Sequence, residues 1–180
     1  MDNWQIDAAG CYKGLMLPTG TVYFAFSPKA LQKLQPTHAA DFWNLYYYKE
    51  AAKKGSYPYS PPVQLFYGAD AALQYIENQG LAKIWNHAHL LSHYFKKEII
   101  ALGGSIFGET PADSLTAFSF EGQDLRKMKS FLKEKGIVIS GGQDELGGKI
   151  LRVSHLGIME IAELAEVIAA LREYLAHSIV

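Results

Sequence analysis

Residues 21–26, Thr21-Val22-Tyr23-Phe24-Ala25-Phe26, carry no charge and no alternation of polar with apolar side chains. Successive side chains of a strand point to opposite faces, so such a run is apolar on both. It predicts a strand inside an α/β sheet, covered above and below by other elements. Ser27-Pro28 follows, a cap and a first-turn residue that start a short helix. Residues 35–61 contain Phe42-Trp43, the run Tyr46-Tyr47-Tyr48 and several Lys, Gly and Pro. They read as a short helix and a long surface excursion.

Ser60-Pro61 repeats the helix-start signal, and Leu65, Ala69, Ala72, Leu73 and Ile76 follow at helical spacing. The pattern predicts a helix capped by Ser60 and ending near Gly80. A second helix is expected from Leu81 to Gly103-Gly104, with Leu81, Ile84, Trp85, Ala88, Leu91, Phe95 and Ile99 along one face. Beyond Ser105 short strands are expected at residues 105–107, 115–120, 137–139 and 149–153, with helices at 124–135 and from Ile158 onward. That mixture predicts an α+β lobe, its helices laid over a small sheet. Two parts result: residues 1–80, bearing the apolar strand, and residues 81–180.

The 180 residues hold 17 Lys plus Arg against 18 Asp plus Glu, and 49% are hydrophobic. Near-neutral charge argues against a protein that binds nucleic acid by neutralising phosphates, and the apolar fraction suffices for a real core. A single cysteine makes neither an internal disulfide nor a thiolate zinc cluster, so a cytoplasmic setting is expected. The opening Met1-Asp2-Asn3-Trp4-Gln5 lacks the basic start and apolar run of a signal peptide. No apolar stretch approaches the roughly 18 residues of a membrane span. Neither nucleic acid nor membrane is an expected partner.

Several residues invite a chemical reading. Lys13 lies among small and apolar neighbours in Gly10-Cys11-Tyr12-Lys13-Gly14-Leu15, where desolvation makes an amine nucleophilic toward aldehydes. Ser60, at a helix N-terminus, offers a place for an anion. Arg152 stands in a short strand between Leu151 and Val153; its planar fork suits a carboxylate, either a ligand's or that of a surface Glu. His89 and His93 share a helix face near His87, yet no neighbouring Cys, Asp or Glu completes a tetrahedral set, and no metal is expected. The glycines at 141–148 do not form a nucleotide phosphate loop, because Gln143 falls where its first glycine belongs and Ile150 where its Ser or Thr belongs. Cys11 is a candidate reactive thiol.

Three segments in order resemble the class V aminotransferases. Trp4-Gln5-Ile6-Asp7, then Gly10-Cys11-Tyr12-Lys13-Gly14-Leu15-Met16-Leu17-Pro18-Thr19-Gly20, is similar to the family's cofactor-lysine region, with Cys11 and Tyr12 in place of the usual Ser and Gln and Thr19 in place of a second Pro. Ser56-Tyr57-Pro58-Tyr59-Ser60-Pro61-Pro62-Val63 resembles its Thr-Pro-like segment. Gly141-Gly142-Gln143-Asp144-Glu145-Leu146-Gly147-Gly148-Lys149-Ile150-Leu151-Arg152-Val153-Ser154-His155-Leu156-Gly157 resembles its glycine-rich turn and Gly-Lys-x-x-Arg-x-x-His segment, in which His155 shapes the turn.

The resemblance implies a fold-type I, pyridoxal-phosphate-dependent transferase of α/β class, present as its C-terminal half. Residues 1–80 would be the remnant of the large cofactor-binding domain and 81–180 the small C-terminal α+β domain. Lys13 would form the Schiff base with pyridoxal 5'-phosphate, Tyr57 and Ser60 would reach the phosphate of the neighbouring subunit's cofactor, and Arg152 would hold the substrate carboxylate. The implied reaction transfers an amino group from an amino acid to a 2-oxo acid, in the serine or alanine to glyoxylate or pyruvate branch. Desulfuration is disfavoured, since no cysteine follows the lysine. Only a dozen residues precede Lys13, so the remaining cofactor partners are expected on an N-terminal half supplied by another polypeptide, in a homodimer or hetero-assembly. The alternative is a non-catalytic remnant or interaction module of the same fold that binds no cofactor.

Overall fold

The computed structural model describes residues 6–36 and 41–177. Trp4 and Gln5, part of the lysine-region resemblance, lie outside the described residues. The chain divides into two units, Met1–Tyr75 and Ile76–Val180. The fold is α/β, with helices and strands mixed in both units.

In the first unit, β1 (Ile6–Gly10) and β2 (Val22–Phe26) pair antiparallel, with Ile6 opposite Phe26 and Gly10 opposite Val22. Ser27 caps α1 (Pro28–Lys33), its hydroxyl accepting from the Ala30 N–H at 3.2 Å, as the Ser-Pro signal predicts. A 3-10 turn at Asp41–Trp43 leads into α2 (Leu45–Ala52), capped by Asn44. The expected strand forms, but it is not buried: Val22 is 53% and Phe24 45% exposed. β1 and β2 make a two-stranded ribbon, which has too few elements to close either face of an apolar strand.

α3 (Val63–Gln79) starts later than the Ser60-Pro61 signal predicts. The cause is Pro62: the residue before a proline is pushed out of the α region, so Pro61 cannot open the helix. The Pro62 carbonyl instead accepts from Leu65 at 2.9 Å and Phe66 at 3.2 Å, closing the first turn.

In the second unit, α4 (Leu81–Ala101) buries Leu91, Ser92, Phe95 and Ile99, while Leu81 and Trp85 of the expected face stay exposed. A four-stranded antiparallel sheet runs in the order β3 (Ser105–Ile106), β4 (Leu115–Ser119), β6 (Leu151–Ser154), β5 (Ser140–Gly141). Asp124 caps α5 (Leu125–Glu134) by accepting from the Arg126 and Lys127 N–H groups. The last helix is α6 (Ile161–His177). The strand expected at residues 137–139 does not form. The Ile137 N–H is used at 2.9 Å on the Leu132 carbonyl, finishing α5, and ladder pairing begins only at Ser140.

α4, α5 and α6 close over this sheet through one core that includes Leu91, Phe95, Phe118, Met128, Leu132, Leu151, Leu164 and Leu171. Phe95 sits at its centre, edge-on to Phe118 at 5.5 Å and tilted against His155 at 5.6 Å. Emptying that position removes transfer energy and leaves a cavity. Phe95→Ala is therefore expected to destabilise the chain by roughly 3–5 kcal/mol in urea unfolding followed by circular dichroism. A loss under about 1 kcal/mol, the size of a surface change, would contradict this placement.

Candidate functional site

The loop between β1 and β2 is built around its one cysteine. Cys11 is fully buried and packs with Leu17 and Ala69; its thiol donates to the Pro18 carbonyl at 3.1 Å. Its backbone N–H reaches the Thr21 carbonyl at 3.4 Å, and its carbonyl accepts from Leu17 at 3.2 Å. These contacts leave residues 12–16 as a raised loop, closed by a 2.9 Å bond from the Met16 N–H to the Lys13 carbonyl. Met16 turns back with φ 56. The thiol is thus a structural anchor and not the exposed reactive group that the sequence left open.

Lys13 is presented at the top of that loop, exposed, with its ammonium 4.8 Å from the centre of the Tyr12 ring. Among the described residues it forms no ion pair. The burial expected of it is not provided within this unit.

Tyr57 is half-exposed and belongs to an aromatic cluster, 5.4 Å from Tyr48 and 5.9 Å from Phe66. Tyr59 packs at 5.9 Å from the same Tyr48 ring and 5.6 Å from Phe42. Burial raises the Tyr48 phenol above its ordinary value, and the neighbouring Tyr57 and Tyr59 add to the effect. Ser60 is exposed and stands three residues before α3, so it is not the helix cap that its sequence predicts. Thr21 Oγ1 is buried without a hydrogen-bond partner among the described residues. Sequence reasoning saw the tyrosine run and missed its pairing with residues 57–66, which depends on the turn that brings the two segments together.

Arg152 lies in the second unit, on β6. Its neighbours Leu151 and Val153 are buried in the core, and Arg152 projects from the other face, half-buried. Its Nε donates to the Gly141 carbonyl at 2.8 Å, fixing the guanidinium plane. Among the described residues no carboxylate pairs with its terminal nitrogens. Lys13, Tyr57 and Ser60 share the first unit, and Arg152 belongs to the second.

His155 proves to be a core residue. It is 1% exposed, its backbone N–H donates to the Ser114 carbonyl at 2.9 Å, and its Nε2 shares a 2.8 Å hydrogen bond with Thr116 Oγ1. Its Nδ1 has no hydrogen-bond partner among the described residues. His89 contacts Asp113 at 2.9 Å, a residue too distant in sequence to have been paired with it, and His87 Nε2 meets the Met159 carbonyl at 2.8 Å. The hydrogen bond from His89 holds the Asp113 carboxyl below its ordinary value.

The model of the family described as aminotransferase class-V matches residues 1–175. The chain belongs to that family. It is 30% identical over 182 residues to a protein of Synechococcus sp. named soluble hydrogenase, small subunit, covering 98% of this chain and 47% of that protein. It is also 30% identical over 165 residues to the L-aspartate–glyoxylate aminotransferase of Paracoccus denitrificans, covering 87% of this chain and 42% of the relative. Among solved structures, an aspartate aminotransferase from Thermus thermophilus superposes with a TM-score of 0.84 at 27% identity, over 96% of this chain and 49% of that one. Over nearly its whole length the class V chain therefore matches about half of a fold-type I aminotransferase architecture. It spans about half the length of the curated relatives it matches.

Burial lowers the His155 imidazole from its ordinary range to about 4, with the Lys96 ammonium acting in the same direction and Asp113 opposing. The folded value lies below the unfolded one, so the unfolded chain binds more protons between those two values. Stability is then full above about pH 6.5 and falls as the pH drops toward 4. The expected loss between pH 7 and pH 5 is roughly 2 kcal/mol in urea unfolding, and His155→Gln should flatten that slope. Equal slopes in the two proteins would contradict the assignment.

Proposed function

We propose that this chain supplies the lysine-bearing portion of a pyridoxal-phosphate-dependent aminotransferase that moves an amino group from an amino acid to a 2-oxo acid. The observation that carries the reading is Lys13: an exposed amine without an ion pair among the described residues, raised on a loop that a buried cysteine locks. Such an amine is free to reach a carbonyl group. The residues present fit the cofactor, since the exposed Ser60 hydroxyl and Tyr57 phenol are hydrogen-bond donors that would reach the phosphate of a neighbouring subunit's cofactor.

When bound, the cofactor supplies the electron sink that makes the substrate α-C–H bond labile. Lys13 Nζ would hold the cofactor's aldehyde carbon and would carry the proton at the substrate α-carbon. Tyr57 and Ser60 would hold the phosphate of a neighbouring subunit's cofactor. Arg152, its plane fixed by the Gly141 carbonyl, offers its two terminal nitrogens to the substrate carboxylate. Residues 1–80 act as the remnant of the large domain and 81–180 as the small domain. The exposed β2 and the half-length match to the relatives support a requirement for an N-terminal partner segment, in a homodimer or hetero-assembly. The setting is cytoplasmic.

The test incubates the chain with pyridoxal phosphate, with and without a polypeptide corresponding to the other half of its relatives, reduces with borohydride and maps the modified peptide. A stable adduct on Lys13 is expected with the partner present and absent in Lys13→Ala. No adduct on Lys13 in the assembled protein would overturn the reading in favour of a module that binds no cofactor. In the same assembly, Arg152→Lys should raise the KM for the amino acid about tenfold to a hundredfold, since a two-pronged charged hydrogen bond is reduced to a point charge. An unchanged KM would remove Arg152 from the site.

A further inference from the structure

The cations of α5 have no role in the reading above. Arg126 and Lys129 stand three residues apart on one side of that helix, both exposed, and neither forms an ion pair among the described residues. They border a cleft of about 230 Å³ whose other wall is the glycine turn, Gly141, Gly142, Gly147 and Gly148, with Ile150 and Leu151 beneath. The turn is held to a close approach. Gly148 has φ +78, and a Cβ there would come within 2.9 Å of Arg126 Nε. A Cβ on Gly141 would lie 3.9 Å from Lys129 Nζ. The Gly148 N–H donates to no backbone carbonyl among the described residues.

We infer that this cleft is an anion site for a phosphate group, in which Arg126, Lys129 and the Gly148 N–H converge on one phosphoryl centre. Two separate cations carry one more charge than a carboxylate balances, whereas a phosphate monoester brings nearly two negative charges and three acceptor oxygens for the cations and the amide donor. The volume is below the roughly 300 Å³ where sites for drug-sized ligands begin, so the ligand is inorganic phosphate or a small phosphorylated metabolite. Arg152 projects from the opposite face of β6 to Leu151, which lines the cleft, and takes no part in it.

The experiment titrates the ¹⁵N-labelled chain with inorganic phosphate and, separately, with glycerol 3-phosphate, at constant ionic strength against sodium chloride. Saturable shifts of the Gly141, Gly142 and Gly148 amides are expected with a phosphate ligand and not with chloride. Tighter binding of glycerol 3-phosphate marks an organic phosphate as the ligand; equal or tighter binding of inorganic phosphate marks the free ion. Arg126→Gln and Lys129→Gln, at exposed positions, should each leave the spectrum well dispersed and weaken binding about tenfold. Lys97→Gln on α4 removes the same charge elsewhere and should leave binding unchanged. The inference is overturned by shifts that chloride reproduces, by shifts that survive in the Arg126→Gln/Lys129→Gln double variant, or by equal weakening in Lys97→Gln.

Discussion

A strand that is apolar on both faces is stable only when both are covered, and among the described residues β2 stays largely exposed on both. Val22, Tyr23 and Phe24 all expose more than a third of their surface. Removing apolar surface from water is worth about 25 cal/mol per Å², so a ribbon that leaves those side chains wet forgoes much of the stabilisation its sequence encodes. The buried apolar cluster of the first unit is small: Cys11, Leu17 and Ala69, with Leu15 and Ala72 beside them. The lysine loop hangs from that cluster. Its shape follows from the Cys11 anchor, and its chemistry waits on surfaces that would exclude water around it.

The second unit meets the opposite condition. Its fifteen-residue core joins three helices to a four-stranded sheet, and even its one buried imidazole is packed and hydrogen-bonded there. Rigid strands suit the task proposed for Arg152, whose guanidinium plane is set by a backbone carbonyl on the neighbouring strand. A group positioned by a sheet holds its geometry better than one positioned by a loop. The glycine turn next to it serves two faces: the Gly141 carbonyl orients Arg152, while the turn as a whole closes the cleft under Arg126 and Lys129.

Local chemistry was legible in the sequence where a single turn decided the outcome. Ser27 and Asp124 cap their helices as their positions require, and the helix from Leu81 starts and ends at its glycines. Where two local rules competed, the weaker one misled: Ser60-Pro61 looked like a helix start until Pro62 forbade it. Burial was legible only for residues whose cover lies in the same unit. Leu91, Phe95 and Ile99 are buried as the periodicity requires, whereas β2 is not, because alternation and hydropathy report what a strand needs and not what a chain provides. His155 looked like part of a turn and is a core residue, since Thr116 and Phe95, its partners, are distant in sequence. The glycine turn stood out in the sequence, but its meeting with Arg126 and Lys129 did not, because only the fold brings the turn and α5 together.

Among the described residues the lysine-bearing unit buries only a small apolar cluster, whereas the second unit has an extended core. Amide hydrogen exchange on the chain, alone and with the complementary half of its relatives, measures this directly. The account requires β1 and β2 amides to exchange far faster than those of α4 and α6 in the chain alone, and to become protected when the partner is added, with α4 and α6 unchanged. β2 amides as protected as those of α4 in the chain alone, and indifferent to the partner, would contradict it.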